Sequence, residues 1–254
     1  MSIIDLYALL AIISYMRNLS VLLEYDGTRF FGWQYQPAKR TVQGELQKAL
    51  GKITGETIKL AGAGRTDQGV HALGQVANFH TGTEIPLFSL RKGTNSLVGD
   101  DLYVKDIAVV PDDFHSRFWA KSKVYEYHLT LEPSPFDLRY SWYLKQTPDV
   151  AMMEKSIPSI AGKKDFRNFS VRNGSDNTVC DVQHISLTHE GEKIVVKIEG
   201  DRFLRKMVRG LVGFMVDLGR QRFALADIPV FFDQRKGEIN FAPPQGLFLS
   251  EVKY

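Results

Sequence analysis

The sequence predicts an α+β fold, and three observations lead there. Segments with a period-two alternation of apolar residues are interspersed with segments of helical spacing. Their order reads strand, helix, strands, helix, strands, helix, strand. Separated strands and helices of that kind favour sheets with helices on one face. The chain has 254 residues, long for one domain and comfortable for two half-domains that share a core. A soft boundary near Pro111 gives halves spanning 17–110 and 111–254, which leave a cleft where they join edge to edge.

The elements follow in order. Residues 1–16, MSIIDLYALLAIISYM, are apolar but interrupted by Asp5, and a spanning helix needs roughly 18 or more apolar residues. A basic leader and an A-x-A cleavage site are both missing from this stretch, so it does not read as a signal peptide. Met16 reads as the functional start and residues 1–15 as an upstream, non-core extension; the alternative is an amphipathic helix docked on the body. Leu19, Val21, Leu23 and Tyr25 then alternate with Ser20, Leu22 and Glu24, a strand ended by the turn pair Asp26-Gly27. Val42, Leu46, Ala49, Leu50 and Ile53 form one helical stripe, with Thr41 as N-cap and Gly55 as stop. Strands are expected at 57–61, 74–80, 102–110 and 122–131. In the last, Tyr125, Tyr127 and Leu129 oppose Val124, Glu126 and His128. A helix over 149–161, a hairpin of 182–189 and 193–199, a long helix from about 201 to 218, and a strand at 247–253 complete the list.

Composition narrows the class. A hydrophobic fraction of 44% with 24% charged residues excludes disorder for most of the chain. The net charge of +3 identifies no partner, because what matters is whether basic residues share a face. Cys180 is the single cysteine, so no disulfide forms within the chain and a reducing cytoplasm fits best. Its bland reading is a small buried apolar residue. The six histidines lack metal-site spacing, and no metal is expected.

The most informative stretch is Gly62-Ala63-Gly64-Arg65-Thr66-Asp67-Gln68-Gly69-Val70-His71-Ala72. Its glycines permit positive φ and close backbone approach, so the Asp67 carboxylate can point into a cleft. Arg65 is near enough to hold the loop or a phosphate. A structural turn closed by an Asp–Arg pair is the competing reading. A dinucleotide fingerprint is excluded, since no helix pattern starts directly after it. Further on, Arg202, Arg205 and Arg209 are spaced at three and four within the expected 201–218 helix. They would share one face beside an apolar stripe that includes Phe203, Leu204, Met207 and Val208.

The string AGAGRTDQGVHALGQVANF resembles the signature of the TruA family of tRNA pseudouridine synthases. Tyr25-Asp26-Gly27, Phe31-Gly32-Trp33-Gln34 and Thr41-Val42-Gln43-Gly44 precede it as they do in that family. Lys123-Val124-Tyr125-Glu126-Tyr127, Phe203 through Arg209, and Ala242-Pro243-Pro244-Gln245-Gly246-Leu247 follow in family order. The resemblance covers about residues 17–254. Lys121 and Gly99 depart from the pattern and touch only local loops. The resemblance implies a pseudouridine synthase fold, two α+β halves with a merged antiparallel sheet around a basic cleft. It also implies a homodimer acting on tRNA, at uridines 38 to 40 of the anticodon stem-loop.

Pseudouridine formation breaks the N1–C1′ bond of uridine, turns the uracil and forms a C5–C1′ bond. It needs no redox change, so no cofactor is expected. One carboxylate must act at the sugar, either attacking C1′ or removing the 2′ proton, and the resemblance gives Asp67 that role. By the same resemblance Tyr125 packs on the base, Arg209 pairs with the carboxylate, and Arg65 fills the place of the flipped base or holds the RNA backbone. Arg202 and Arg205 are expected to face phosphate. Arg91-Lys92, Lys121-Lys123 and Lys163-Lys164 are further candidates for a tRNA track. A non-catalytic RNA-binding module and an N-glycoside hydrolase are the competing functions. The second is disfavoured because hydrolysis of that kind uses two carboxylates and the Asp67 motif offers one.

Overall fold

The computed structural model describes residues 16–171, 177–233 and 238–254; the extension expected at 1–15 lies outside them. The described strands are β1 (Arg17–Tyr25), β2 (Ala61–Gly62), β3 (His71–Thr81), β4 (Leu102–Val110), β5 (Ser122–Thr130), β6 (Trp142–Tyr143), β7 (Gly162–Asp165), β8 (Val179–Glu190), β9 (Lys193–Gly200) and β10 (Leu247–Lys253). The helices are α1 (Val42–Thr54), α2 (Leu87–Leu97), α3 (Val150–Ile160), α4 (Met207–Gly219) and α5 (Ile228–Asp233). No described helix is long and apolar enough to cross a membrane.

All ten strands belong to one sheet, in the order β4-β1-β3-β10-β5-β9-β8-β7, with β2 on β3 and β6 on β5. The fold is therefore α+β with a merged sheet. Its pairings are antiparallel except for two, β5 with β6 and β10 with β3. The last strand of the chain is the seam. Leu249 of β10 pairs with Ala72 of β3 on one side and with Tyr125 of β5 on the other. That register sets the loop before β3 beside Tyr125, although they are far apart in sequence.

Local chemistry accounts for most elements. Alternation in β1 buries Leu19, Val21, Leu23 and Tyr25. Thr41 caps α1 by accepting from the Gly44 N–H at 3.3 Å, and Gly55 ends the helix at φ 73°. Asp149 caps α3 through the Met152 N–H at 3.1 Å. The hairpin, β4 and β10 lie where the alternation placed them, and Cys180 is buried.

Three expectations need correction. A strand over 57–61 shrinks to Ala61–Gly62, although Ile58 and Leu60 are buried as in a strand. Gln47 Nε2 donates to the Ile58 carbonyl at 2.8 Å and Gln43 Nε2 to the Leu60 carbonyl at 2.9 Å. Side chains of α1 thus take carbonyls that a ladder would otherwise use. Helix α2 was not expected at all. It buries only Leu90 and Thr94, contains Gly93, and starts after Pro86 without a side-chain cap, so its periodic signal is weak.

The third correction concerns the long helix. It begins at Met207, because Lys206 sits at φ 62° in the left-handed region. Arg202 and Arg205 therefore precede the helix and do not share a helical face with Arg209. Of the α4 residues only Arg209 escapes full burial, so α4 is a central core helix and not an amphipathic one.

Candidate active site

The loop bearing Asp67, the candidate reactive loop, leaves the sheet at β2 and returns at β3. Ala63 N–H donates to the Val76 carbonyl at 2.8 Å, and Val70 N–H closes a turn onto the Asp67 carbonyl at 3.1 Å. Gly69 takes φ 78° two residues after Asp67, a conformation that a side chain would strain. This turn lifts the Asp67 side chain out of the ladder, leaving it 28% exposed.

The loop is gripped from below by the upstream motifs. Trp33 N–H donates to the Thr66 carbonyl at 3.1 Å. The Tyr25 hydroxyl lies 2.8 Å from Thr66 Oγ1, and Gln75 Nε2 donates to the Gly64 carbonyl at 2.9 Å. Burial pushes the Tyr25 phenol up to about 12, so it stays neutral and available for this contact. Trp33, Thr66 and Gln75 were not among the residues singled out for the site. Their contribution is to fix the backbone on either side of Asp67, and no local pattern distinguishes such residues from ordinary core.

Asp67 pairs with Arg209, Nη1 to Oδ2 at 3.3 Å. Arg65 is exposed and makes no hydrogen bond or ion pair among the described residues. The turn is thus not closed by the neighbouring arginine, and the partner comes from 142 residues away. Arg209 is itself aimed. Its Nε donates to the Ala242 carbonyl at 2.6 Å, and its own carbonyl accepts from the Ala242 N–H at 3.0 Å. The Ala242–Leu247 segment continues from there. Pro244 lies under Gly69, the Gln245 carbonyl is 3.2 Å from His71 Nε2, and the Pro243 carbonyl accepts from the Tyr127 hydroxyl at 2.7 Å. One short segment therefore ties together the arginine, the reactive loop and β5.

Tyr125 stands beside this pair. A Cβ added at Gly64 would lie 3.7 Å from its Oη. The ring is buried, with Phe203 packed edge-on at 5.0 Å between centroids. Burial first, and then the nearby Tyr25 and Asp67, push its phenol well above the ordinary range, so it is a neutral hydroxyl at any physiological pH. Its Oη has no partner among the described residues. Arg205 is exposed and Arg202 half-buried. Among the described residues no group of three or more His, Cys, Asp or Glu gathers as a metal site.

The arrangement is one carboxylate, held by a guanidinium, next to a flat neutral aromatic whose hydroxyl has no partner among the described residues. It suits an enzyme that acts at one carbon while retaining a planar base. A family model described as tRNA pseudouridine synthase matches residues 21–118 and 157–254. The tRNA pseudouridine synthase A of Chlorobium limicola is 41% identical over 245 residues, covering 94% of this chain and all of that protein. The protein of the same name from Caldicellulosiruptor bescii is 38% identical over 244 residues, with the same coverage. The chain belongs to the tRNA pseudouridine synthase family, whose members are isomerases of tRNA uridine.

Proposed function

We propose that this chain converts uridine to pseudouridine at positions 38 to 40 of the tRNA anticodon stem-loop, with Asp67 acting at the sugar. The carrying observation is the Asp67–Arg209 pair, 3.3 Å apart and beside Tyr125. The guanidinium holds the carboxylate by one oxygen, which leaves the other to attack C1′ or to take the 2′ proton. The Tyr125 ring holds the detached uracil by stacking while it turns. The proton lost from C5 passes to the Tyr125 oxygen as the phenol gives its own proton to solvent, and N1 takes one up, so the residue acts as a relay and no net proton is consumed. Arg65 and Arg205, both exposed, meet RNA phosphate, and Arg202 supports the same track. The chain acts as a homodimer in the cytoplasm, with tRNA as its partner.

The test is incubation with unmodified tRNA followed by carbodiimide-dependent primer-stop mapping. New stops at 38, 39 or 40 are the expected result. Stops elsewhere would reject the positional assignment, and release of free uracil would favour hydrolysis. Light scattering should give twice the chain mass of 28.8 kDa; a single mass would reject the dimer.

A further inference from the structure

Lys123 is a buried cation that the chemistry above leaves unused. It lies two residues before Tyr125 on β5 and is only 8% exposed. A Cβ added at Gly64 would meet its Cε at 3.6 Å, nearly the same distance as to Tyr125 Oη. The lysine and tyrosine thus flank the same point of the reactive loop. Yet the Lys123 ammonium makes no hydrogen bond and no ion pair among the described residues. Its nitrogen is also not among the fully enclosed polar atoms that lack a partner, so it keeps contact with solvent.

Most of the Lys123 stem is out of water while its ammonium end meets solvent without an ion-pair partner, an arrangement that presents a charge at the surface. Charges of both signs act on it, but none pairs with it. Burial and the Arg117 charge both push the Lys123 amine down, with only Asp201 opposing. Asp201 forms no ion pair with Lys123; its Oδ1 is turned to the backbone, accepting from the Asp181 N–H at 2.8 Å and the Arg202 N–H at 2.6 Å. Asp67 is engaged by Arg209.

Arg117 stands on a loop that is fixed to the reactive one. Ser116 Oγ donates to the Ala61 carbonyl at 2.6 Å, just ahead of the glycine motif. The Ser116 N–H donates to Asn78 Oδ1 at 2.9 Å, and Tyr254 holds the Ser116 carbonyl at 2.8 Å. The Arg117 side chain is exposed and forms no ion pair among the described residues; its guanidinium sits 5.7 Å from the exposed Phe118 ring. Two cations without ion-pair partners among the described residues, one on a buried stem and one on a loop fixed to the Asp67 loop, lie near enough for one charge to act on the other.

We propose that Lys123 and Arg117 form an anion subsite that takes a backbone phosphate of the RNA strand bearing the target uridine. The inference rests on the reading of the chain as an RNA-modifying enzyme. A phosphate there supplies the ion-pair partner that neither cation has among the described residues. It also fixes the strand relative to Gly64 and Tyr125, so that the flipped base arrives over the tyrosine.

The experiment is equilibrium binding of an unmodified anticodon stem-loop RNA to the full chain across a salt series. It compares wild type, Lys123→Met, Lys123→Arg and Arg117→Ala, with Lys52→Ala on the far end of α1 as control. Lys123→Met and Arg117→Ala should each flatten the slope of log affinity against log salt by roughly 0.7 to 0.9, while Lys123→Arg and Lys52→Ala leave it within error. A second arm replaces single phosphates near the target uridine with neutral methylphosphonates. At one or two linkages the substitution should weaken wild type at least tenfold and Lys123→Met by less than threefold. Such non-additivity marks a shared contact. Unchanged slopes for both charge-removing variants would overturn the proposal. So would equal losses in wild type and Lys123→Met at every linkage. Arg117→Ala, on the surface, keeps the test decisive if Lys123→Met does not fold. Because the readout is binding, a failure to form pseudouridine would count against the catalytic reading alone.

Discussion

Asp67→Asn keeps the shape of the side chain and removes its charge and nucleophilic oxygen. The residue is 28% exposed on a turn fixed by other residues, so the variant should melt near the wild-type temperature and bind tRNA with similar affinity. It should form no pseudouridine. Turnover at a substantial fraction of the wild-type rate would move the catalytic role elsewhere. Arg209→Lys probes the pairing. One ammonium cannot reproduce both the contact to Asp67 and the planar Nε–H donated to Ala242. Losing a hydrogen bond to a charged group costs about 1.5–3 kcal/mol, so kcat/KM should fall roughly 10- to 100-fold. A loss under threefold would show that charge alone suffices. Tyr25 carries a pH dependence. An unfolded tyrosine ionises near pH 10, whereas the folded Tyr25 phenol is raised to about 12. Its contribution is therefore fully present below pH 10 and is lost as pH rises from 10 to 12. Over that window Tyr25→Phe should flatten the fall of unfolding free energy by about 1.4 kcal/mol per pH unit. Parallel curves in urea titrations would indicate that Tyr25 titrates alike in both states.

At the scale of elements, α4 departs furthest from expectation. Its sequence suggested one apolar stripe and one charged face, whereas the structure buries the helix all round apart from Arg209. Close approach is what makes this possible. A Cβ at Gly213 would fall 1.7 Å from the Asn240 carbonyl oxygen. Intrinsic propensity favours alanine over glycine by about 1 kcal/mol in a helix interior, but no backbone contact at that distance survives. Gly213→Ala should thus lower the melting temperature by several degrees, and it should lower activity too, because Asn240 lies just before the segment that aims Arg209. A stabilised variant in calorimetry would refute this packing. Helix α1 follows the opposite logic. Its cap, stripe and stop are all local, and its boundaries were legible as soon as Thr41 and Gly55 were read together.

For the whole molecule, the decisive element is β10. It pairs with β3 and β5 at once, and without it the reactive loop and Tyr125 would belong to sheets with no shared edge. We propose that 17–110 and 111–254 are the two halves of the molecule, with β10 returning from the second to complete the first. Val252→Asp would place a charge at a position only 8% exposed in that strand. It should destabilise by several kcal/mol, as an unpaired charge in a core does, and both halves should lose amide-exchange protection together. Protection retained in either half would show that the halves are stable apart.

The sequence by itself determined the α+β class, most strand boundaries, the capped helix α1 and the loop bearing Asp67. Each of these rests on contacts between near neighbours: alternation along a strand, a cap three residues away, a glycine at a turn. The family motifs added the partners Arg209 and Tyr125 as expectations. Only the tertiary structure decided that Arg209 and not Arg65 meets Asp67, and that Arg202 and Arg205 lie off the helix. It also decided that Ile58 and Leu60 give their carbonyls to glutamines of α1, and that the buried Lys123 has no ion-pair partner among the described residues. The physical reason is the same in each case. Local spacing fixes where a side chain leaves the backbone, but its pairing and desolvation depend on which distant backbone the sheet brings alongside, and here β10 sets that register.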